Sequence, residues 1–166
     1  MNTRYNITTA QSRDIEAVVS ALAGDMNAAD QDHFQKKLER HVREEDFILF
    51  LAQSAARWVG LVCIQHHDTP PSDLAHEMLA DLEGLACATQ LLVHPDFRGH
   101  GIGEALFSRA ELWAAETDHP GCWFVTHRMG DWYVERFGYR ELSPVKVKGA
   151  NKHLMMRRFA ETNGES

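Results

Sequence analysis

The residues best suited to chemistry lie in one short run, Arg98-Gly99-His100-Gly101-Ile102-Gly103. The run follows the strand-like Leu91-Leu92-Val93 and the break His94-Pro95, and it opens a long amphipathic stretch. One arginine and alternating glycines at the start of a helix make an anion cradle. Glycine lets the backbone turn at little steric cost, so several N–H groups can converge on one point. The first turn of a helix leaves its N–H groups unpaired, and its dipole favours negative charge there. Arg98 can add a charge-assisted bond. Phosphate or pyrophosphate is the natural guest. Two common phosphate motifs are excluded. No Gly-Lys-Ser/Thr ending of a Walker A loop is present, and Glu104 stands where the dinucleotide fingerprint needs its last glycine.

Other chemistries have weaker support. His66-His67-Asp68 invites a metal, but adjacent histidines in a strand point to opposite faces and rarely share one ion. No metal is therefore expected. Cys63, Cys87 and Cys122 are odd in number and widely spaced, with no Cys-x-x-Cys. Each sits among apolar neighbours, as buried and unreactive thiols do.

The elements that must position the cradle follow from periodicity. Tyr5–Thr8 reads as a strand. Ser12 is expected to cap a helix with Ile15, Val18, Val19 and Leu22 on one face, ended by Gly24. Asp30–Glu45 reads as a surface helix with a thin stripe of Phe34, Leu38 and His41 or Val42. Phe47–Ala52 and Trp58–Ile64 form a hairpin, with its break at Gln53-Ser54. His66–Glu83 is the least regular segment, with a short helix within Ser72–Leu82. Leu85–Val93 is a strand, Gly101–Thr117 the clearest helix, and Cys122–Thr126 a strand. That run predicts a parallel crossover. Asp131–Phe137 is a short helix closed by Gly138, and Tyr139–Leu142 and His153–Phe159 complete the strands. The tail from Glu161 to Ser166 is expected to fray. The order is β-α-α-β-β-β-α-β-α-β-β, a mixed α/β pattern.

Composition narrows the partners. The chain has 166 residues, 44% hydrophobic and 25% charged, which is ordinary for one globular domain, expected over residues 1–160. Net charge is 17 − 24 = −7. An acidic domain is poorly suited to nucleic acid or anionic lipid and suits a cationic or neutral partner. The start has no apolar signal core, and no uncharged stretch approaches the ~20 residues of a membrane span. A cytoplasmic location is expected.

With these elements around it, Arg98–Gly103 resembles the signature of the GNAT superfamily of acyl-CoA-dependent N-acetyltransferases, Arg/Gln-x-x-Gly-x-Gly/Ala. The preceding Leu91-x-Val93-x-Pro95 fits the family's strand. Downstream, His127–Tyr139 resembles the family's Asn-x-x-Ala-x-x-x-Tyr-x-x-x-Gly-Phe. Gly138-Tyr139 matches its end, His127 replaces the asparagine, Gly130 the alanine, and Val134 the tyrosine.

The resemblance implies a GNAT-like mixed, mostly antiparallel sheet flanked by helices. Its two central parallel strands would splay to admit acetyl-CoA as cosubstrate. It implies a pyrophosphate held by Arg98, Gly99, His100, Gly101, Ile102 and Gly103, a pantetheine arm along Leu91, Leu92 and Val93, and a contact at His127. It implies direct acetyl transfer to a primary amine, and the acidic balance favours a small, cationic molecule as its carrier. A protein N-terminus or lysine is the alternative acceptor, and a homodimer is compatible with the family. The base that deprotonates the amine has candidates in Glu83, His94 and His127, with Glu83 preferred. The family's acid is the tyrosine that Val134 replaces. Tyr133, rotated by about 100° on a helix, is the remaining candidate. Loss of that tyrosine also fits a rival class, an acyl-CoA-binding sensor or structural subunit without catalysis.

Overall fold

The computed structural model, which describes residues 4–70, 74–127 and 130–159, is built of both strands and helices. In chain order they are β1 (Asn6–Thr9), α1 (Ile15–Ala23), α2 (Ala28–Arg43), β2 (Phe47–Ser54), β3 (Arg57–Gln65), α3 (His76–Leu82), β4 (Ala86–Val93), α4 (Ile102–Glu116), β5 (Gly121–Thr126), α5 (Gly130–Phe137), β6 (Arg140–Val147) and β7 (Ala150–Arg158). The strand order is β1-β2-β3-β4-β5-β7-β6. β1–β2, β2–β3, β5–β7 and β6–β7 pair antiparallel, and β4–β5 is parallel. This is the mixed, mostly antiparallel sheet flanked by helices that the resemblance implies. No helix among the described residues is long and apolar enough to cross a membrane.

The chain divides into two units. One comprises residues up to Gln65 together with Gln90–Ala110; the other comprises His66–Thr89 together with residues from Glu111 onward. In the first unit, β2 and β3 read as continuous apolar runs because both faces are covered. Leu49, Leu51, Leu61 and Cys63 join a core with Val18, Val19, Phe34 and Leu38 of α1 and α2. The alternate residues face α4. The Arg109 guanidinium lies 4.5 Å over the Phe50 ring. A Cβ on Gly60 would fall 2.8 Å from Leu106 Cδ1 and 3.1 Å from the Leu92 carbonyl oxygen. Only glycine lets α4 and β4 approach β3 this closely. In the second unit, Leu82, Leu85, Cys87, Trp123, Val145, Leu154 and Met156 form a separate core.

Several expectations need correction. Ser12 is not the cap. It lies inside a 3-10 turn, Ser12–Asp14, and the Gln11 N–H donates to Asp14 Oδ2 at 2.9 Å. Carboxylates accept more strongly than a hydroxyl. The β2–β3 turn is not at Gln53-Ser54, which stay in β2, but at Ala55-Ala56, with φ of 48° and 65°. Both signs are those of a type I′ hairpin turn, which sequence normally announces with Asn-Gly. β6 and β7 run on to a hairpin at Lys148-Gly149, so both strands are longer than expected. Pro144 is tolerated in β6 because β6 is an edge strand. The element order gains α3 between β3 and β4. The expected helix start at Ser72 and the tail from Glu161 lie outside the described residues.

A left-handed alanine costs about 1–2 kcal/mol. Replacing Ala55-Ala56 by Asn-Gly should therefore raise unfolding stability by about 1 kcal/mol, read as a higher urea midpoint at unchanged slope.

Candidate functional site

The cradle is built where β4 ends. The His94 N–H donates to the Val59 carbonyl at 2.8 Å, which closes the strand against β3. Pro95–Phe97 then form a 3-10 turn whose Asp96 N–H donates to His94 Nδ1 at 3.1 Å. That nitrogen is an acceptor engaged in the turn, so His94 acts here as a cap. The Arg57 guanidinium stacks 5.1 Å over the Phe97 ring and steadies the turn from β3.

Arg98 follows in extended conformation and is exposed, its Nε–H donating to the Val93 carbonyl at 3.2 Å. Gly99 and Gly101 take φ of 82° and 80°, and a Cβ on either would meet nothing within 4 Å. Backbone conformation, not crowding, demands glycine there, and the loop stands open. His100 is exposed. Ile102 is 1% exposed and seats the start of α4 beneath the loop. The α4 ladder begins with Ala105 N–H donating to the Gly101 carbonyl at 3.0 Å. The N–H groups before it have no intrahelical acceptor. The structure thus brings together every residue of the Arg98–Gly103 reading. These residues fit a pyrophosphate, with an open backbone turn, a helix N-terminus and one exposed cation.

Leu91, Leu92 and Val93 are all half-buried, as is every β4 residue from Ala88 onward, while β3 is buried from Val59 to Gln65. β4 lies between β3 and β5 in the sheet order, yet its parallel pairing with β5 consists of Ala86↔Cys122 and Cys87↔Trp123. On the same strand, Gln90 Oε1 accepts from Lys37 Nζ at 3.0 Å.

The second unit holds the remaining candidates. Tyr133 packs its ring 4.4 Å from that of Phe124 and 4.8 Å from that of Trp132. Burial pushes its hydroxyl up to about 12. Val134 is 45% exposed. One step along α5 therefore separates an inward tyrosine from an outward valine. Tyr139 is 2% exposed, and its hydroxyl donates to Glu111 Oε2 at 2.8 Å. Arg157 Nη1 donates to the same oxygen at 2.9 Å. Burial raises the Glu111 carboxyl, against the opposing pull of Tyr139 and Arg157. His127 is an exposed bend after β5.

Glu83 is the C-cap of α3 and is exposed. It lines a cavity of about 430 Å³ together with His67, Asp68, His76, Leu82 and Trp123. Asp68 and Trp123 are not among the residues that the sequence assigns to acetyl transfer. His66 pairs with His119, Nδ1 to Nε2 at 3.2 Å, beside Trp113. All three cysteines are buried, and burial pushes Cys63 and Cys122 up to about 12. None is a thiolate nucleophile.

Residues 45–141 match the family model described as an acetyltransferase (GNAT) domain. No curated protein matches the sequence. Solved structures share the fold at low identity. The PaiA N-acetyltransferase of Thermoplasma acidophilum, in complex with coenzyme A, aligns at TM-score 0.65 and 15% identity over 94% of this chain and 99% of its own. The loading GNATL domain of CurA from Lyngbya majuscula aligns at 0.71 and 10% over 95% and 99%. A predicted acetyltransferase with acetyl-CoA from Clostridium acetobutylicum aligns at 0.67 and 16% over 87% and 96%.

The glycines of the loop should respond differently to alanine. Gly101→Ala should cost about 1–2 kcal/mol through its positive φ. At Gly103 a Cβ would meet Val93 Cγ2 at an ordinary 3.5 Å inside the helix. Gly103→Ala should be neutral, or stabilising by up to about 1 kcal/mol. Urea unfolding of both variants checks the contrast, and equal losses would contradict it.

Proposed function

Because this chain belongs to the GNAT family of acetyltransferases, we propose that it moves an acetyl group from acetyl-CoA directly to a primary amine of a small, cationic molecule. The observation that carries the reading is the Arg98–Gly103 turn, an open backbone loop at a helix N-terminus with a cation at its mouth. Acetyl-CoA is the family's cosubstrate, and it supplies an activated thioester. The complexes of the Thermoplasma and Clostridium proteins, with coenzyme A and acetyl-CoA respectively, support the same ligand here.

On this reading Arg98 and the main-chain N–H groups from Gly99 to Gly103 hold the pyrophosphate, and His127 adds a contact. The half-exposed backbone of Leu91–Val93 pairs with the pantetheine arm and presents an N–H to the carbonyl oxygen that gains charge. Glu83 takes the proton from the attacking ammonium, directly or through water. Tyr133 returns a proton to the leaving sulfur. Among the chain's three tyrosines, Tyr139 is committed to Glu111. No enzyme nucleophile is needed, in keeping with the buried thiols. Catalysis then rests on positioning and electrostatics.

The outward Val134 favours a second reading, a coenzyme A-binding protein without turnover. A free-thiol release assay with acetyl-CoA and a panel of amines separates the two, since only the enzyme releases thiol. Coenzyme A at a hundredfold excess over its dissociation constant should add roughly 2.7 kcal/mol to stability. Arg98→Glu should remove most of that shift, and an unchanged shift in this variant would refute the cradle.

Tyr133→Phe should lower kcat at least tenfold with acetyl-CoA binding unchanged. With its hydroxyl held up to about 12, Tyr133 stays protonated as pH rises. The wild-type rate should therefore show no loss at pH ~10, where an ordinary tyrosine titrates. A rate unaltered in Tyr133→Phe at every pH removes it from the mechanism.

A further inference from the structure

The cavity beside α3 identifies a class of acceptor, an inference that rests on the acetyl-transfer reading above. Its volume of about 430 Å³ lies within the range of small-molecule sites, roughly 300–1,000 Å³. Its floor is apolar and buried, with Leu82, Leu85 and Trp123 at 4%, 1% and 3% exposure. Its rim is polar and exposed, with Asp68 and Glu83 as the carboxylates and His67 and His76 beside them. An apolar floor under a charged rim suits an amphipathic ligand, body inward and polar head at the mouth.

The sign of the head follows from electrostatics. Asp81 lies in the last turn of α3 and Glu83 caps it, with no basic residue in that turn. A helix C-terminus already carries negative partial charge, so carboxylates there repel it. One cation answers, Arg158, whose Nη2 donates to the Asp81 carbonyl at 3.0 Å. Among the described residues, Asp68 and Glu83 stand in no ion pair. Asp68 Oδ1 accepts from the Thr69 N–H at 2.8 Å, which holds the carboxylate in place. An ammonium at the mouth gains both carboxylates and the negative helix end. The Trp123 indole beneath offers an apolar, π-rich surface. A second ammonium carried to the floor would be buried without a partner, at high cost.

We propose that this cavity is the acceptor site and that it selects a single primary ammonium on a short aryl or alkyl body over a polycation. Trp123 is also the last β5 residue paired with β4, opposite Cys87. The floor therefore adjoins the strand pair between which the family places its cosubstrate.

The test uses the full chain with saturating acetyl-CoA and compares 2-phenylethylamine, ethylamine and spermidine by thiol release. 2-Phenylethylamine should exceed ethylamine in kcat/KM by roughly tenfold or more, the return for burying its ring. Asp68→Asn and Leu79→Lys alter exposed residues of the cavity wall, so folding should survive. Each should raise KM for 2-phenylethylamine roughly five- to tenfold, with kcat and the KM for acetyl-CoA unchanged. Calorimetric titration of the amine without acetyl-CoA should show the same weakening. Thiol release that both variants leave unaltered overturns the cavity as acceptor site while acetyl transfer stands. A preference for spermidine overturns the single-ammonium class. Amine binding that the variants weaken, with no thiol released, supports the cavity as an amine site and sinks acetyl transfer instead.

Discussion

A backbone can offer several N–H groups to one anion where a helix begins, provided that the chain can enter that helix from the right side. The entry here needs two left-handed residues, Gly99 and Gly101, and the rest of the first unit holds them in place. β4 is closed onto β3 by the His94–Val59 bond, Arg57 braces the turn through Phe97, and Gly60 lets α4 sit down on the sheet. Ile102, buried to 1%, fixes where the helix starts. Close packing thus prearranges the cradle before any ligand arrives, so little ordering entropy remains to be lost on binding.

The second unit solves a different problem, holding polar groups in an apolar setting. Glu111 is shared by the Tyr139 hydroxyl and the Arg157 guanidinium, so a buried carboxylate keeps both a charge partner and a neutral donor. Removing one member of such a set is far more damaging than its net contribution suggests, because the others are left unpaired. This arrangement withdraws Tyr139 from chemistry. It also builds, with Phe124, the wall on which Tyr133 lies. The same low polarity keeps the Cys122 thiol protonated.

Much was legible from the residues alone where local physics decides. The glycine spacing, the proline that ends β4 and the apolar stripe of α4 each have one conformational solution, and the cradle follows from them. So do the pairing of β2 with β3 and the parallel β4–α4–β5 unit. The Ala55-Ala56 turn was not legible, because alanine carries no left-handed preference and only the pairing of β2 with β3 forces it there. Nor was the 3-10 turn at Ser12–Asp14, closed by the Gln11 N–H on Asp14, since it depends on how the chain enters α1.

Sequence by itself therefore determined the fold class, the family and the glycine-rich turn proposed to hold the anion, all properties written in short-range spacing. Tertiary structure alone decided which way α5 is turned, sending Tyr133 inward and Val134 to solvent. It alone drew Asp68, Glu83 and Trp123 around one cavity from three separate segments. The reason is that a helix's rotation about its axis and the meeting of distant residues are fixed by long-range packing. No periodicity within a single segment encodes that packing.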